Sequence, residues 1–291
     1  MLSALCWAVI NVGNSVIVAR FTKSPWVINW TQTFFSTVML AVIACFVDVR
    51  TPWIPVLIPV AIVAYAGDVF FLWVLDRLDI SVVNAAWAVL AMFMSAAGFL
   101  LFNESWTSMQ AVGAGFVLIG VLLISFFNAR RDLCKTLLML TTLAALYVPD
   151  YVARKAALNA GEQLLPLVFW LIAGRDVTAF VWPALIPNRR RMLISQIPWN
   201  RPGFFGLSLC VILAFYMAEY FLASAYAVGP VSLISVTGNI QPFFVIFLSW
   251  IVARTLPAFA PREKFSVRVT GMRLASFLIV FFGLALLGQG L

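Results

Sequence analysis

Five ionisable residues, Asp68, Asp150, Arg175, Asp176 and Glu219, stand inside long apolar runs of the chain. If hydrocarbon surrounds those runs, each charge costs about 2.5–3.5 kcal/mol at mid-bilayer, so each must pair, protonate or face water. Asp150 and Arg154 are four residues apart on one helix face, the spacing of a local interfacial ion pair. Arg175 and Asp176 are neighbours whose side chains diverge by about 100° on a helix. Either the run is broken at Gly174 and admits water, or Arg175 pairs with an acid on another helix; a structural pair and a substrate-binding role stand level. Asp68 and Glu219 read either as protonated, hydrogen-bonded acids between helices or as acids lining a transport path. The chain has no histidine, so a coupling proton would have to ride on a carboxylate.

Uncharged polar residues also fall on shared faces. Trp7, Asn11, Asn14 and Val18 are spaced by 4, 3 and 4, one side of a helix. Asn84 and Trp87 share a face, as do Tyr216, Glu219, Tyr220 and Ala223. Asn239, Gln241 and Pro242 lie together, and the proline frees a carbonyl and kinks a helix at depth. Such faces point at neighbouring helices or at a wet cavity, not at lipid. A cavity of amides, aromatics and a few charges suits an amphipathic organic solute. No nucleotide loop, dinucleotide glycine fingerprint or HExxH motif occurs. The reading is therefore a non-enzyme with no cofactor, no metal and no coupling to ATP.

The elements that carry these residues follow from composition. Of 291 residues, 64% are apolar and 10% charged, against about a quarter charged in a soluble domain. That excludes a soluble enzyme, a disordered chain and a disulfide scaffold. The apolar runs are 2–19, 26–47, 53–75, 80–102, 107–127, 136–153, 164–186, 203–227, 231–253 and 271–287. Each crosses hydrocarbon as a helix, because a helix alone pairs its own backbone there. The fold class is all-α integral membrane, multi-pass in the plasma membrane, with ten spans, the first not a removable signal. Cys6, Cys45, Cys134 and Cys210 have no metal-ligand spacing and read as small buried residues.

Net charge is +8, but the basic residues sit between apolar runs, which points to membrane orientation and not to nucleic acid. Arg20, Lys23, Arg77, Arg130, Arg131, Lys135, Arg189, Arg190, Arg191, Arg201, Arg254, Arg262, Lys264, Arg268 and Arg273 fall on one side. Only Arg50, Arg154 and Lys155 fall on the other. The positive-inside rule then puts both termini outside the cytoplasm.

An internal repeat supports the plan. Adding 151 lays Asp68 on Glu219, Phe70 on Phe221, Ser81 on Ser232 and Phe93 on Phe244; an offset of 163 then lays Gly120 on Gly283. Five spans is an odd number, so two such halves, 1–127 and 128–291, are inverted. Inverted repeats place a site at their interface near the midplane. Asp68 and Glu219 would bracket that site as a pseudo-symmetric pair.

The stretch 67–125 resembles the EamA-type domain of the drug/metabolite transporter superfamily. Glu104, Thr107, Gln110, Gly113 and Gly120 match its motif, and Asn103 stands where the family often has glycine. In the second half Thr255 replaces the glutamate, while Pro242 fits a proline common in that span. The resemblance implies two five-helix EamA repeats, a cavity between spans 1, 3, 4, 6, 8 and 9, and alternating access to a small-molecule substrate, often exported. It implies structural roles for Glu104, Gly113, Gly120 and Pro242. It also implies cytoplasmic termini, opposite to the loop charges, so both termini share a side that the sequence leaves open. A lipid flippase or scramblase keeps the same fold, and an integral membrane enzyme using the buried acids is a third reading.

Overall fold

The computed structural model describes residues 1–78, 80–128, 133–185, 187–255, 257 and 267–288. Among these it is helical throughout, with no strand. The helices are α1 (Leu2–Arg20), α2 (Pro25–Ala44), α3 (Ile54–Leu75), α4 (Ile80–Val83), α5 (Ala85–Phe102), α6 (Ser108–Asn128), α7 (Leu133–Asn159), α8 (Leu164–Ala184), α9 (Pro187–Gln196), α10 (Pro202–Val228), α11 (Val231–Gly238), α12 (Gln241–Thr255) and α13 (Val267–Gly288). Proline occupies the first turn of α2, α3 and α10, where its missing N–H is no loss.

Among the described residues, seven stretches are long and apolar enough to cross a membrane: Leu2–Arg20, Pro25–Ala44, Ile54–Leu75, Cys134–Asn159, Leu164–Pro183, Pro202–Val228 and Val231–Thr255. Ala86–Phe102 and Ser108–Gly120 are shorter apolar helices. The chain is a multi-pass membrane protein. The ten-span inverted plan goes further than these seven.

Contacts between connections sort the helix ends into two sets. At one end Lys23 approaches Asp76 at 3.7 Å, and the Arg201 guanidinium donates to the Arg20 carbonyl. At the other, Thr51 donates to Glu162, the Trp170 indole donates to the Val49 carbonyl, and Lys155 donates to the Gly229 carbonyl. The first three helices therefore alternate in direction, and α10 runs antiparallel to α1.

Four local expectations are corrected. The run 136–153 continues to Asn159, so Arg154 and Lys155 are buried helix residues and not loop charges. Of the three basic residues assigned to that end, only Arg50 remains in a loop, where it is 94% exposed. Arg130, Arg131, Arg262 and Lys264 lie outside the described residues. α8 runs unbroken through Gly174, whose missing side chain admits Ala61 of α3; a Cβ there would sit 2.6 Å from that methyl. The runs 80–102 and 231–253 are each broken, at Asn84 and at Asn239–Ile240. The connection after α8 contains a further helix, α9, which hydropathy did not mark.

α6 and α13 pack closely through glycine. A Cβ on Gly120 would meet Val280 at 2.6 Å, and one on Gly283 would meet the Gly113 carbonyl at 2.6 Å. Without a hydrophobic drive between helices in lipid, such close backbone approach is what holds them. The main buried cluster gathers α1, α3, α4, α5, α7 and α10 around Leu72, Met94, Leu143 and Phe204.

Candidate functional site

Four helices bring their charges to one place. On α7, Tyr147, Asp150, Tyr151 and Arg154 recur at i, i+3, i+4 and i+7, so one face carries all of them. The Arg154 guanidinium donates to Glu219 of α10 at 2.5 Å and reaches Asp150 at 3.3 Å. Arg175 of α8 donates to Asp150 at 2.5 Å and stands 3.9 Å from Asp68 of α3. The Tyr147 hydroxyl donates to Asp68 at 2.7 Å. The result is one chain: Glu219, Arg154, Asp150, Arg175, Asp68. Arg154 is 1% exposed, so the Asp150–Arg154 pair is buried and not interfacial. Breaking such a pair strands a charge and costs about 3–5 kcal/mol.

The three carboxylates of the chain differ. Asp150 has a guanidinium on each side, and Glu219 has one at 2.5 Å. Asp68 has the longest ion contact and a side chain 29% exposed. Three carboxylates share two guanidinium groups, and the surplus charge falls at Asp68. Glu219, for all its neighbouring aromatics, is the locked end. Tyr220 is 47% exposed and turned away from Glu219, while Tyr216 donates to the Ser36 carbonyl of α2.

A cluster of amides lies beside this chain. Asn84, fully buried at the α4–α5 break, accepts from Asn11 of α1 at 2.8 Å and from Gln241 of α12 at 3.2 Å through one oxygen. Its own amide donates to the Ile80 carbonyl. Asn14 accepts from Gln32 of α2 at 2.7 Å. Asn239 donates to the Ser235 carbonyl, leaving its oxygen buried with no partner. Pro242 heads α12 in its first turn just past the second break, so it restarts the helix and does not kink one. The breaks of the two discontinuous helices are thus tied together by Asn84 and Gln241. Unwound backbone at membrane depth is tolerated where protein or a wet cavity surrounds it.

Two cavities flank the cluster. One, of about 650 Å³, is lined by Asp150, Tyr151, Glu219, Tyr226, Asn239 and Gln241 and runs out to Met1 and Val228. The other, of about 90 Å³, is lined by Asn11, Asn14, Asn29, Gln32, Asp68 and Asp176. Trp7, Trp87, Tyr147 and Arg175 line both and form the partition. Asp176 accepts from Thr37 at 3.3 Å and faces away from Asp150 and Glu219, as adjacent helix residues must.

Glu104 and Asn103 of the motif sit at a helix end, not at this centre. Glu104 accepts from the backbone N–H groups of Val231 and Ser232, and Ser232 Oγ also donates to it. It satisfies the free donors at the start of α11. Asn103, in the glycine position, is left-handed at φ 52°, the one non-glycine with positive φ among the described residues. Glycine and asparagine share that tolerance.

Sequence reasoning passed over α2 altogether. Asn29, Gln32, Thr33 and Ser36 follow i, i+3, i+4, i+7 and line the smaller cavity, a polar stripe as legible as that of α1. Tyr147 was missed because it was not read with Asp150 and Arg154 as one face.

With this geometry in hand, comparison with known proteins places the first half. Residues 1–126 match the EamA-like transporter family. The match bears out the motif resemblance of this EamA-like region. No curated protein matches the chain. One solved crystal structure, titled only as that of a protein, is similar over 98% of this chain and 94% of its own, with 16% identity and a TM-score of 0.67. At that identity the likeness concerns the fold alone.

Proposed function

We propose that the protein is a secondary transporter of a small organic solute, an exporter in the plasma membrane that works by alternating access. Its ten helices form two inverted five-helix repeats, 1–127 and 128–291, with both termini on one side. The observation that carries this reading is the partition. A buried ion chain, two tied helix breaks and four shared side chains separate two cavities, each with carboxylates and amides in its wall. A carrier needs such a wall, because its site must open to one side at a time. Broken helices at the site and the match of residues 1–126 to a transporter family support the same reading. Within the chain of charges, the coupling proton belongs on Asp68, the carboxylate with surplus charge, and not on Glu219. Nothing in the reading calls for an enzyme, a cofactor or a metal.

The test is uptake and efflux by purified protein in sealed vesicles, with a panel of amino acids, amines and amphipathic drugs, with and without a pH gradient. Gradient-dependent movement of one solute, lost in Arg175→Leu, is expected. Absence of transport for the whole panel, together with hydrolysis of a lipid or peptide, sinks the reading. A lipid flippase is favoured by one feature: the larger cavity is lined mainly by apolar side chains and reaches Met1 and Val228 at the helix ends. Scrambling of fluorescent lipid in the same vesicles, without solute transport, selects that alternative.

A further inference from the structure

The smaller cavity has an imbalance of charge that the ion chain leaves unresolved. Its lining presents two carboxylates, Asp68 and Asp176, against one guanidinium, Arg175. That guanidinium is already committed to Asp150 at 2.5 Å and reaches Asp68 only at 3.9 Å. Asp176 has no ion-pair partner within 4.0 Å among the described residues; its contacts with Ser36 and Thr37 are hydrogen bonds from neutral groups. Two acids in one small wall, short of cations, are stable only with a positive guest or with protons.

Independent observations describe the guest. Asn29, buried on α2, lines the same cavity with an amide N–H that has no hydrogen-bond partner. A buried donor left unpaired is costly, so the guest offers an acceptor there. The same wall carries aromatic rings: Trp87 and Tyr147 have ring centroids 5.5 Å apart, and Trp7 and Phe215 5.8 Å apart. Ring faces attract ammonium groups in desolvated sites.

We propose that the smaller cavity binds a compact organic ammonium carrying a hydrogen-bond acceptor, with the cation on Asp68 and Asp176 and the acceptor on Asn29, and that it rejects the zwitterionic amino acid of the same skeleton. This names the substrate class of the site and rests on the transport reading. The rejection follows from the same inventory. An added carboxylate meets two like charges and finds no free cation, since Arg175 is occupied.

Ethanolamine and serine form the test pair, because they differ by one carboxylate and share the hydroxyl. Binding to purified full-length protein in detergent is measured by calorimetry. The expected result is ethanolamine binding at least about tenfold tighter than serine, the equivalent of one charge-assisted contact. Asp68→Asn and Asp176→Asn each weaken ethanolamine by about tenfold. Asn29→Leu removes the preference for ethanolamine over ethylamine. Equal binding of serine and ethanolamine, no binding of either, or unchanged affinity in both aspartate variants overturns the proposal. The ligand comparison uses the unmodified protein, so a variant that fails to fold leaves the test intact. Vesicles that transport another solute while ethanolamine fails to bind reject the ammonium site and keep the carrier. Ethanolamine binding without transport does the reverse.

Discussion

Arg154→Leu is the sharpest perturbation of the buried charges. The substitution removes the guanidinium that stands 2.5 Å from Glu219 and 3.3 Å from Asp150. Asp150 keeps Arg175 at 2.5 Å, so its loss is partial. Glu219 keeps no other cation within ion-pair distance among the described residues, and its side chain is 4% exposed. The variant therefore strands one buried carboxylate, a loss of about 3–5 kcal/mol. If that account is right, Glu219→Gln in the same chain restores most of the stability, because it removes the stranded charge. The two substitutions then couple by more than about 1 kcal/mol in a double-mutant cycle. The assay is unfolding in mixed micelles of rising denaturing-detergent content, followed by helical circular dichroism. Arg50→Leu is the control, since Arg50 is 94% exposed and its partner Asp48 lies 4.0 Å away, a pair of little worth. A loss for Arg154→Leu no larger than for Arg50→Leu would refute the argument. So would strict additivity with Glu219→Gln, which would mean that the two groups do not feel each other.

Three further outcomes are expected. Asn84→Leu removes two amide contacts to α1 and α12 and the bond to the Ile80 carbonyl; it should cost about 1–3 kcal/mol in the same unfolding assay and lower transport. Gly120→Ala forces a Cβ to 2.6 Å from Val280 and should destabilise by about 1–3 kcal/mol, whereas Gly115→Ala, with nothing within 4 Å, should be neutral or stabilising. Equal melting temperatures for those two variants would show that α6 and α13 do not rely on close approach. Glu104→Ala leaves the N–H groups of Val231 and Ser232 without their acceptor, so hydrogen exchange there should speed up at least about tenfold, a change readable by mass spectrometry.

Composition and period alone carried the class of molecule. A chain with 10% charged residues cannot clothe a soluble globule, and apolar runs of this length have to be helices in lipid. The faces of α1, with Trp7, Asn11 and Asn14, were readable because helical spacing is local. Tertiary structure decided the partners. Asp150 and Arg154 look self-sufficient at i, i+4, yet the guanidinium turns to Glu219 and Asp150 takes Arg175. No spacing in one helix reveals which neighbour it will face. Hydropathy also averaged away the breaks at Asn84 and Asn239–Ile240, because a break with its amides satisfied by other helices needs no local polar run. The surplus charge at Asp68 is likewise a property of the assembly. It exists only because three carboxylates from α3, α7 and α10 converge on two guanidinium groups, and electrostatics in a dry interior is set by distance in space, not along the chain.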